Sequence, residues 1–236
     1  MNIAPMMLTD AALLRLLQLT DSAFPTGAFA HSFGLEPYIA HGRVRTAPAL
    51  EEFVANTLCD AVAPSDGVAC AAVYRAGDGG QDVVQALDQR LTAMKTVAEF
   101  RQASRALGRR LLRTAGQLWT LPGAASYLAA IDAKILHGHL SLAYGLACRD
   151  LGVPLQPALL AWFRQHCAAL VSVGVRLIPL GQTEGQAVLA RLGGRIVGAV
   201  ELALERDVDE LASFAPGQEL AGMMHRDVLT TRLYIS

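Results

Sequence analysis

Apolar residues recur at helical spacing along most of this chain of 236 residues, and this periodicity restricts the fold more than any other feature. At Thr46, a capping residue is followed by a proline, two glutamates and an apolar stripe that begins at Leu50, which predicts an amphipathic helix. Residues 195–204 combine strand-favouring and helix-favouring halves, and we interpret them as helix. The sequence therefore predicts an all-α fold, with residues 1–236 forming a single-domain compact bundle of roughly ten helices.

Glycine and proline divide the rest of the chain into further helical segments. Residues 83–118 predict one long helix or two, Pro122 restarts a helix, and further helices are expected near 133–151, 157–178 and 183–192. Thr183 and Gln186 fit a capping box at the start of the last of these. Residues 77–81 contain three glycines and indicate a loop inside one domain.

Composition limits the classes of partner. Hydrophobic residues make up 53% of the chain and charged residues 17%, too few charges to coat an ordinary monomer, so partners are expected to cover some apolar surface. The net charge of −1, without a Lys/Arg-rich tract, predicts no nucleic-acid binding. The longest apolar stretch, residues 168–180, is interrupted by Arg176 and is too short to span a membrane, so no membrane association is expected.

The N-terminal region and the cysteines bear on localisation and cofactors. The apolar run 11–19 follows Asp10 and contains Arg15, which is not the pattern of a secretory signal. The four cysteines are scattered without metal-ligand or disulfide spacing. We expect a cytoplasmic protein that holds no metal and no cofactor.

Residues 21–36 form a polar, glycine-containing turn between two helical patterns. Asp21, His31, Ser32 and Glu36 are residue types that suffice for hydrolysis when they lie together. The same residues can instead cap helix ends and hydrogen-bond a tight turn, and we favour this second interpretation.

Two other groups of residues allow a structural or a functional interpretation. His137 and His139 lie two apart, about 200° from each other on a helix, so they are better explained as structural residues than as metal ligands. Arg101, Arg105, Arg109 and Arg113 form a basic stripe, which is either a solvated face or a docking surface for an acidic partner.

Three separated segments, in the same order along the chain, resemble the signatures of the urease accessory protein UreF family. They are LRLLQLTDSAFPTGAFAHSFGLE from Leu14 to Glu36, VRLIPLGQTEGQ from Val175 to Gln186, and MHRDVLTTRLYIS from Met224 to Ser236. His139 with Gly145 is similar to the central helix of the family. In the third segment the chain has Arg226 where the family often has a glutamate.

The resemblance implies an all-helical protein without chemistry of its own. It implies a homodimer that binds the accessory protein UreD, called UreH in some species, and recruits the GTPase UreG for nickel delivery to apo-urease. It also implies that Phe29 occupies an aromatic position near the UreD contact and that Arg232 is the arginine of the tail. The residues that we predict to bind partners belong to the first and third segments: Asp21, Ser22, Pro25, Gly27, Phe29, His31, Ser32, Glu36, Arg232, Leu233 and Tyr234.

Two enzymatic alternatives remain at the level of the sequence, a hydrolase that uses Asp21, His31 and Ser32 and a regulator of a GTPase. The protein could regulate its GTPase partner by supplying an arginine in trans, with Arg101, Arg105 or Arg109 as candidates. The apolar C-terminal residues, including Leu233 and Tyr234, predict a segment that orders on partner binding, or one that packs as the last turn of the core.

Overall fold

The computed structural model describes residues 7–27, 31–228 and 233–234, and it is built from α-helices joined by short turns. No β-strand occurs in these ranges, so the all-α prediction is confirmed. The helices are α1 Asp10–Leu19, α2 Leu35–Ala40, α3 Ala47–Asn56, α4 Val68–Ala76, α5 Gln81–Met94, α6 Ala98–Leu118, α7 Pro122–Asp132, α8 Leu140–Asp150, α9 Leu155–Leu177, α10 Gln182–Arg191, α11 Gly193–Glu205 and α12 Pro216–Val228.

Helices α8 and α9 form the centre of the fold. Helix α8 is buried from Ser141 to Cys148 and packs against α4, α6 and α7. Helix α9 packs against α3, α10 and α11. By length and composition alone α9 could cross a membrane, but half of its most apolar window is buried inside the fold, and central helices of globular proteins meet the same criteria.

A π-helical segment, Thr57–Gly67, joins α3 to α4 and contains Pro64. Proline has no N–H to donate into a helix, so the Asp60 carbonyl four residues before it is available to another part of the chain. Phe214 N donates to Asp60 O at 2.8 Å, and Ala212 N donates to Pro64 O at 3.1 Å. These bonds fix the segment that leads into α12.

Several predicted helices are present with the expected caps. Thr46 caps α3 by accepting from Ala49 N at 3.4 Å, Pro122 begins α7, and residues 195–204 are helical within α11. Residues 83–118 belong to two helices, because the chain leaves the helical conformation at Lys95, where ψ is 85°. The glycine-rich connection contains a 3₁₀ turn, Gly77–Gly79, directly before α5.

Two boundary predictions were wrong. The helix expected over residues 133–151 begins only at Leu140, because Asp88 binds the His137 and Gly138 amides and Gly138 has a φ of +91° that helices do not accommodate. The capping box at Thr183 is absent, because α10 begins at Gln182 with Gly181 as its N-cap and no side-chain cap bond.

Candidate partner-binding surface

The first predicted binding residues lie in a tight turn after α1. Asp21 Oδ1 accepts a hydrogen bond from Ala23 N at 2.7 Å, and Asp21 O accepts from Phe24 N at 3.0 Å. Ser22 and Pro25 are exposed, whereas Phe24 is buried and stacks on Trp119. Asp21 therefore stabilises a local turn, as expected for a capping residue.

The turn is joined to α6 through Arg110. Arg110 Nη1 donates to Thr26 O at 2.9 Å, next to the half-buried Gly27. Residues 28–30 lie outside the described residues, and the prediction for Phe29 falls among them.

His31 and Ser32 are buried. The His31 ring stacks on Phe33 with centroids 5.6 Å apart. Burial, and secondly the charge of Arg110, lowers the pKa of His31, which favours the neutral imidazole at pH 7. The Ser32 side chain has no solvent exposure, whereas Asp21 lies in an exposed turn. This arrangement fits a packed turn better than a hydrolytic centre that a substrate could reach.

Helix α12 lies on the turn that precedes α2. Phe33 adopts a positive φ of 48°, which is unusual for a bulky residue, and the following Gly34 has a φ of 85°. Gln218 of α12 donates from Nε2 to Phe33 O at 2.8 Å. The first family-like segment and the C-terminal helix are thus in direct contact.

The end of the described chain binds the Glu36 carboxylate. Leu233 N donates to Glu36 Oε1 at 2.9 Å, and Tyr234 N donates to Glu36 Oε2 at 3.3 Å. Glu36 and Tyr234 are buried, and the Arg176 guanidinium lies 6.0 Å from the centre of the Tyr234 ring. The structure therefore brings Glu36 together with two of the predicted tail residues, while Arg232 lies outside the described residues.

Large apolar side chains are exposed close in sequence to this contact. Leu233 is 70% exposed although its neighbour Tyr234 is buried. We define the C-terminal apolar set as the exposed residues Phe214, Leu220, Met223, Met224 and Leu233. Exposed apolar side chains are one feature of surfaces that bind other proteins.

The basic stripe of α6 is occupied by contacts within the chain. Arg101 donates to Lys95 O at 2.5 Å, Arg105 to Thr92 Oγ1 at 3.1 Å, and Arg109 to Ile131 O at 3.2 Å. Arg113 forms an ion pair with Asp132 at 3.0 Å. These contacts connect α6 to α5 and α7, while the Arg109 and Arg113 side chains stay 44% and 57% exposed.

His139 belongs to a buried polar cluster that the sequence interpretation missed. Its Nε2 lies 2.9 Å from Thr92 Oγ1, and its Nδ1 lies 3.1 Å from Ser104 Oγ. Burial, and secondly Lys95, lowers the pKa of His139 to about 4, so the ring is neutral at pH 7. Among the described residues there is no group of three or more His, Cys, Asp or Glu side chains placed to hold a metal ion.

The nearby Asp88 carboxylate was also missed. It accepts from Tyr127 Oη at 2.6 Å, His137 N at 2.7 Å and Gly138 N at 3.0 Å. In the sequence, Asp88 lies four residues after Val84 and next to Leu87, inside the buried stripe of α5. A carboxylate in such a stripe was the available signal, because buried carboxylates need partners.

The described residues define an all-helical protein. Comparisons with known proteins identify the family. The sequence model of the UreF family matches residues 44–193. The chain is 36% identical over 212 residues to the urease accessory protein UreF of Paenarthrobacter aurescens (strain TC1), covering 90% of this chain and 93% of the relative.

Other relatives extend the match over nearly the whole chain. Identity to the urease accessory protein UreF of Lachnoclostridium phytofermentans is 35%, covering 96% of this chain and 100% of the relative. Identity to that of Haemophilus influenzae (strain PittEE) is 34%, covering 97% of each. The chain belongs to the urease accessory protein UreF family.

Proposed function

We propose that this protein is a non-enzymatic, cytoplasmic scaffold for urease maturation. As a homodimer it bridges a UreD/UreH-like accessory protein and a UreG-like GTPase, so that nickel can be inserted into apo-urease. The observation that supports this role best is the contact of the Glu36 carboxylate with the backbone of Leu233 and Tyr234, which unites the first and third family-like segments in one surface.

The composition of this surface suits the binding of a partner protein. The buried Glu36 and Tyr234 hold the backbone in place, while the Leu233 side chain points into solvent. Pre-organised apolar anchors contribute most of the energy of many interfaces, because little conformational entropy is lost when they bind. We therefore assign Leu233 and the other members of the C-terminal apolar set to the partner interface.

The alternative role, an arginine supplied in trans to the GTPase, receives less support from the contacts of α6. Arg101, Arg105 and Arg109 each donate to an oxygen of the same chain. An arginine that entered a GTPase site would have to give up that bond first.

The interface assignment is tested by changing an exposed residue that the fold does not need. Leu233→Glu should abolish co-purification with a tagged UreD/UreH homologue, because it places a charge where an apolar anchor would be desolvated. Leu118→Glu is the matched control, since Leu118 is also exposed but lies at the end of α6. Equal retention of the partner by both variants would contradict the assignment, provided that both have the circular dichroism spectrum of the parent protein.

A further inference from the structure

A cavity of about 160 Å³ lies between α12 and the body of the protein, and the proposed scaffold role makes no use of it. Its walls are largely apolar, and they include the rings of Phe33, Phe100 and Trp162. Helix α12 contributes Gln218 and Glu219 to one side. The cavity is therefore a defined space under the C-terminal helix.

A buried ion pair lies in the wall of this apolar space. Lys95 Nζ is 2.5 Å from Asp66 Oδ2, and the two side chains are only 18% and 12% exposed. Asp66 Oδ1 accepts from Ser141 Oγ at 2.8 Å. The ion pair lowers the pKa of Asp66 against the opposing effect of burial, so the carboxylate is charged at pH 7.

The polar groups of the wall restrict the chemistry of a ligand. An ammonium has three N–H donors, of which one is directed to Asp66, and a carboxylate can accept more than one bond at each oxygen. A hydroxyl group can accept from Lys95 and donate to Asp66 at the same time. A second carboxylate would instead face Asp66 and Glu219, so an anionic ligand is disfavoured.

The size and the walls of the cavity restrict the apolar part of the ligand. An apolar cavity of roughly 150 Å³ holds one benzene molecule. Aromatic walls favour an aromatic guest, because ring pairs at suitable distances add to the energy of burial. A single six-membered ring matches the volume of this space.

We infer that this cavity is a binding site for one phenolic ring, with its hydroxyl beside the ion pair of the Lys95 ammonium and the Asp66 carboxylate. A free phenol and the tyrosine side chain of another protein share this chemistry. The site is independent of the interface residues assigned above, because Leu233 does not line it.

The test uses the full chain and p-cresol, the side-chain analogue of tyrosine, with toluene and 4-methylbenzoate as matched probes. Saturation-transfer NMR and calorimetry should detect p-cresol binding that is about tenfold tighter than toluene binding, the factor expected for one hydrogen bond to a charged group. 4-Methylbenzoate should bind more weakly than p-cresol. Equal affinity for p-cresol and toluene, or no binding because only water enters the cavity, would overturn the inference.

Two variants connect the binding to this cavity. Ala169→Leu should remove p-cresol binding by filling the space, whereas Ala106→Leu, on the exposed face of α6, should not change it. Lys95→Met should reduce p-cresol affinity to that of toluene. If Lys95→Met fails to fold, the Ala169→Leu result decides alone, and unchanged binding in that variant would contradict the site.

A tyrosine derivative distinguishes the two sources of the ring. N-acetyltyrosine amide carries the same phenol on a peptide backbone. If its affinity matches that of p-cresol, the mouth of the cavity admits the tyrosine of a partner protein. If only p-cresol binds, the phenolic site stands and its ligand is a free small molecule.

Discussion

At the scale of single residues, the buried Asp88 carboxylate explains the shape of the chain around it. Its three hydrogen bonds bind Tyr127 of α7 and two amides of the turn before α8. A buried carboxylate without such donors would destabilise the fold. Because the His137 and Gly138 amides are used in this way, the chain cannot continue as a helix, and the predicted helix over 133–151 is shortened.

Gly108 of α6 packs closely against the same turn before α8. A Cβ added to Gly108 would lie 2.3 Å from Gly138 O and 2.9 Å from His139 C, and both are backbone atoms that cannot turn away. Gly108→Ala should therefore lower the free energy of unfolding by about 1–3 kcal/mol, measured by urea denaturation.

Gly116 is the control for this substitution, because it lies on the same helix and a Cβ there would meet nothing within 4 Å. Gly116→Ala should raise the free energy of unfolding by about 0.5–1 kcal/mol, since alanine has the higher helix propensity. A loss of stability in Gly116→Ala equal to that in Gly108→Ala would show that close packing is not the cause.

At the scale of secondary-structure elements, α12 and the tail serve both stability and the candidate interface. Gln218 and the backbone of Tyr234 hold α12 and the tail on the first family-like segment, while the C-terminal apolar set faces solvent. Tyr234 is packed in the core, as one sequence alternative predicted, and the neighbouring Leu233 is exposed and available to the proposed interface.

Removal of residues 223–236 should consequently have two effects. Binding of a UreD-type partner should be lost, and the melting temperature should fall because Glu36 loses two backbone donors and Tyr234 no longer covers the core. Pull-down and circular dichroism on the same sample measure both. An unchanged melting temperature would mean that the tail contributes little to the fold, and retained partner binding would remove the tail from the interface.

The α6 stripe gives a second prediction at this scale. Arg105→Glu with Arg109→Glu should lower the free energy of unfolding by about 1–3 kcal/mol, because the bonds to Thr92 and Ile131 are lost. The exposed Arg164→Glu on α9 should change it by less than about 0.5 kcal/mol. If all these variants are as stable as the parent protein, and only the double variant associates more slowly with a partner in a salt-dependent way, the stripe is a docking surface instead.

The elements also show what the sequence can and cannot predict. Local signals sufficed for α3 and α7, where Thr46 and Pro122 act on their own helices. They failed where distant groups decide, as at Gly138, whose amide binds Asp88 fifty residues away. The Lys95–Asp66 pair and the cavity beside it were equally invisible, because their residues come from separate elements.

At the scale of the whole molecule, two histidines make stability depend on pH. Burial is the first cause that lowers the pKa of His139 and of His166 to about 4, from the usual 6.5. As pH falls through 6.5, the unfolded chain binds protons at both rings, while the folded protein does not until about pH 4. The stability that the two neutral rings contribute to the folded protein is complete above pH 6.5, and it is lost as the pH falls towards 4.

We expect the free energy of unfolding to fall by about 1.4 kcal/mol per pH unit for each histidine inside this window, measured by urea denaturation. His139→Asn and His166→Phe should each reduce the slope. Asp66 affects stability in a separate pH range. Its pKa is lowered in the folded protein, so the stability that its carboxylate contributes is lost only below the ordinary value of 3.8. If the free energy of unfolding stays constant between pH 6.5 and pH 4, the two rings titrate normally.

The contact between Glu36 and Tyr234 also orders events in time. The two residues are 198 positions apart, so this contact closes a loop of nearly the whole described chain. During synthesis, residues 21–36 leave the ribosome long before the segment that completes their surface. A partner that requires both segments can bind only after residue 234 has emerged, so recruitment of that partner has to wait until both segments have been synthesised.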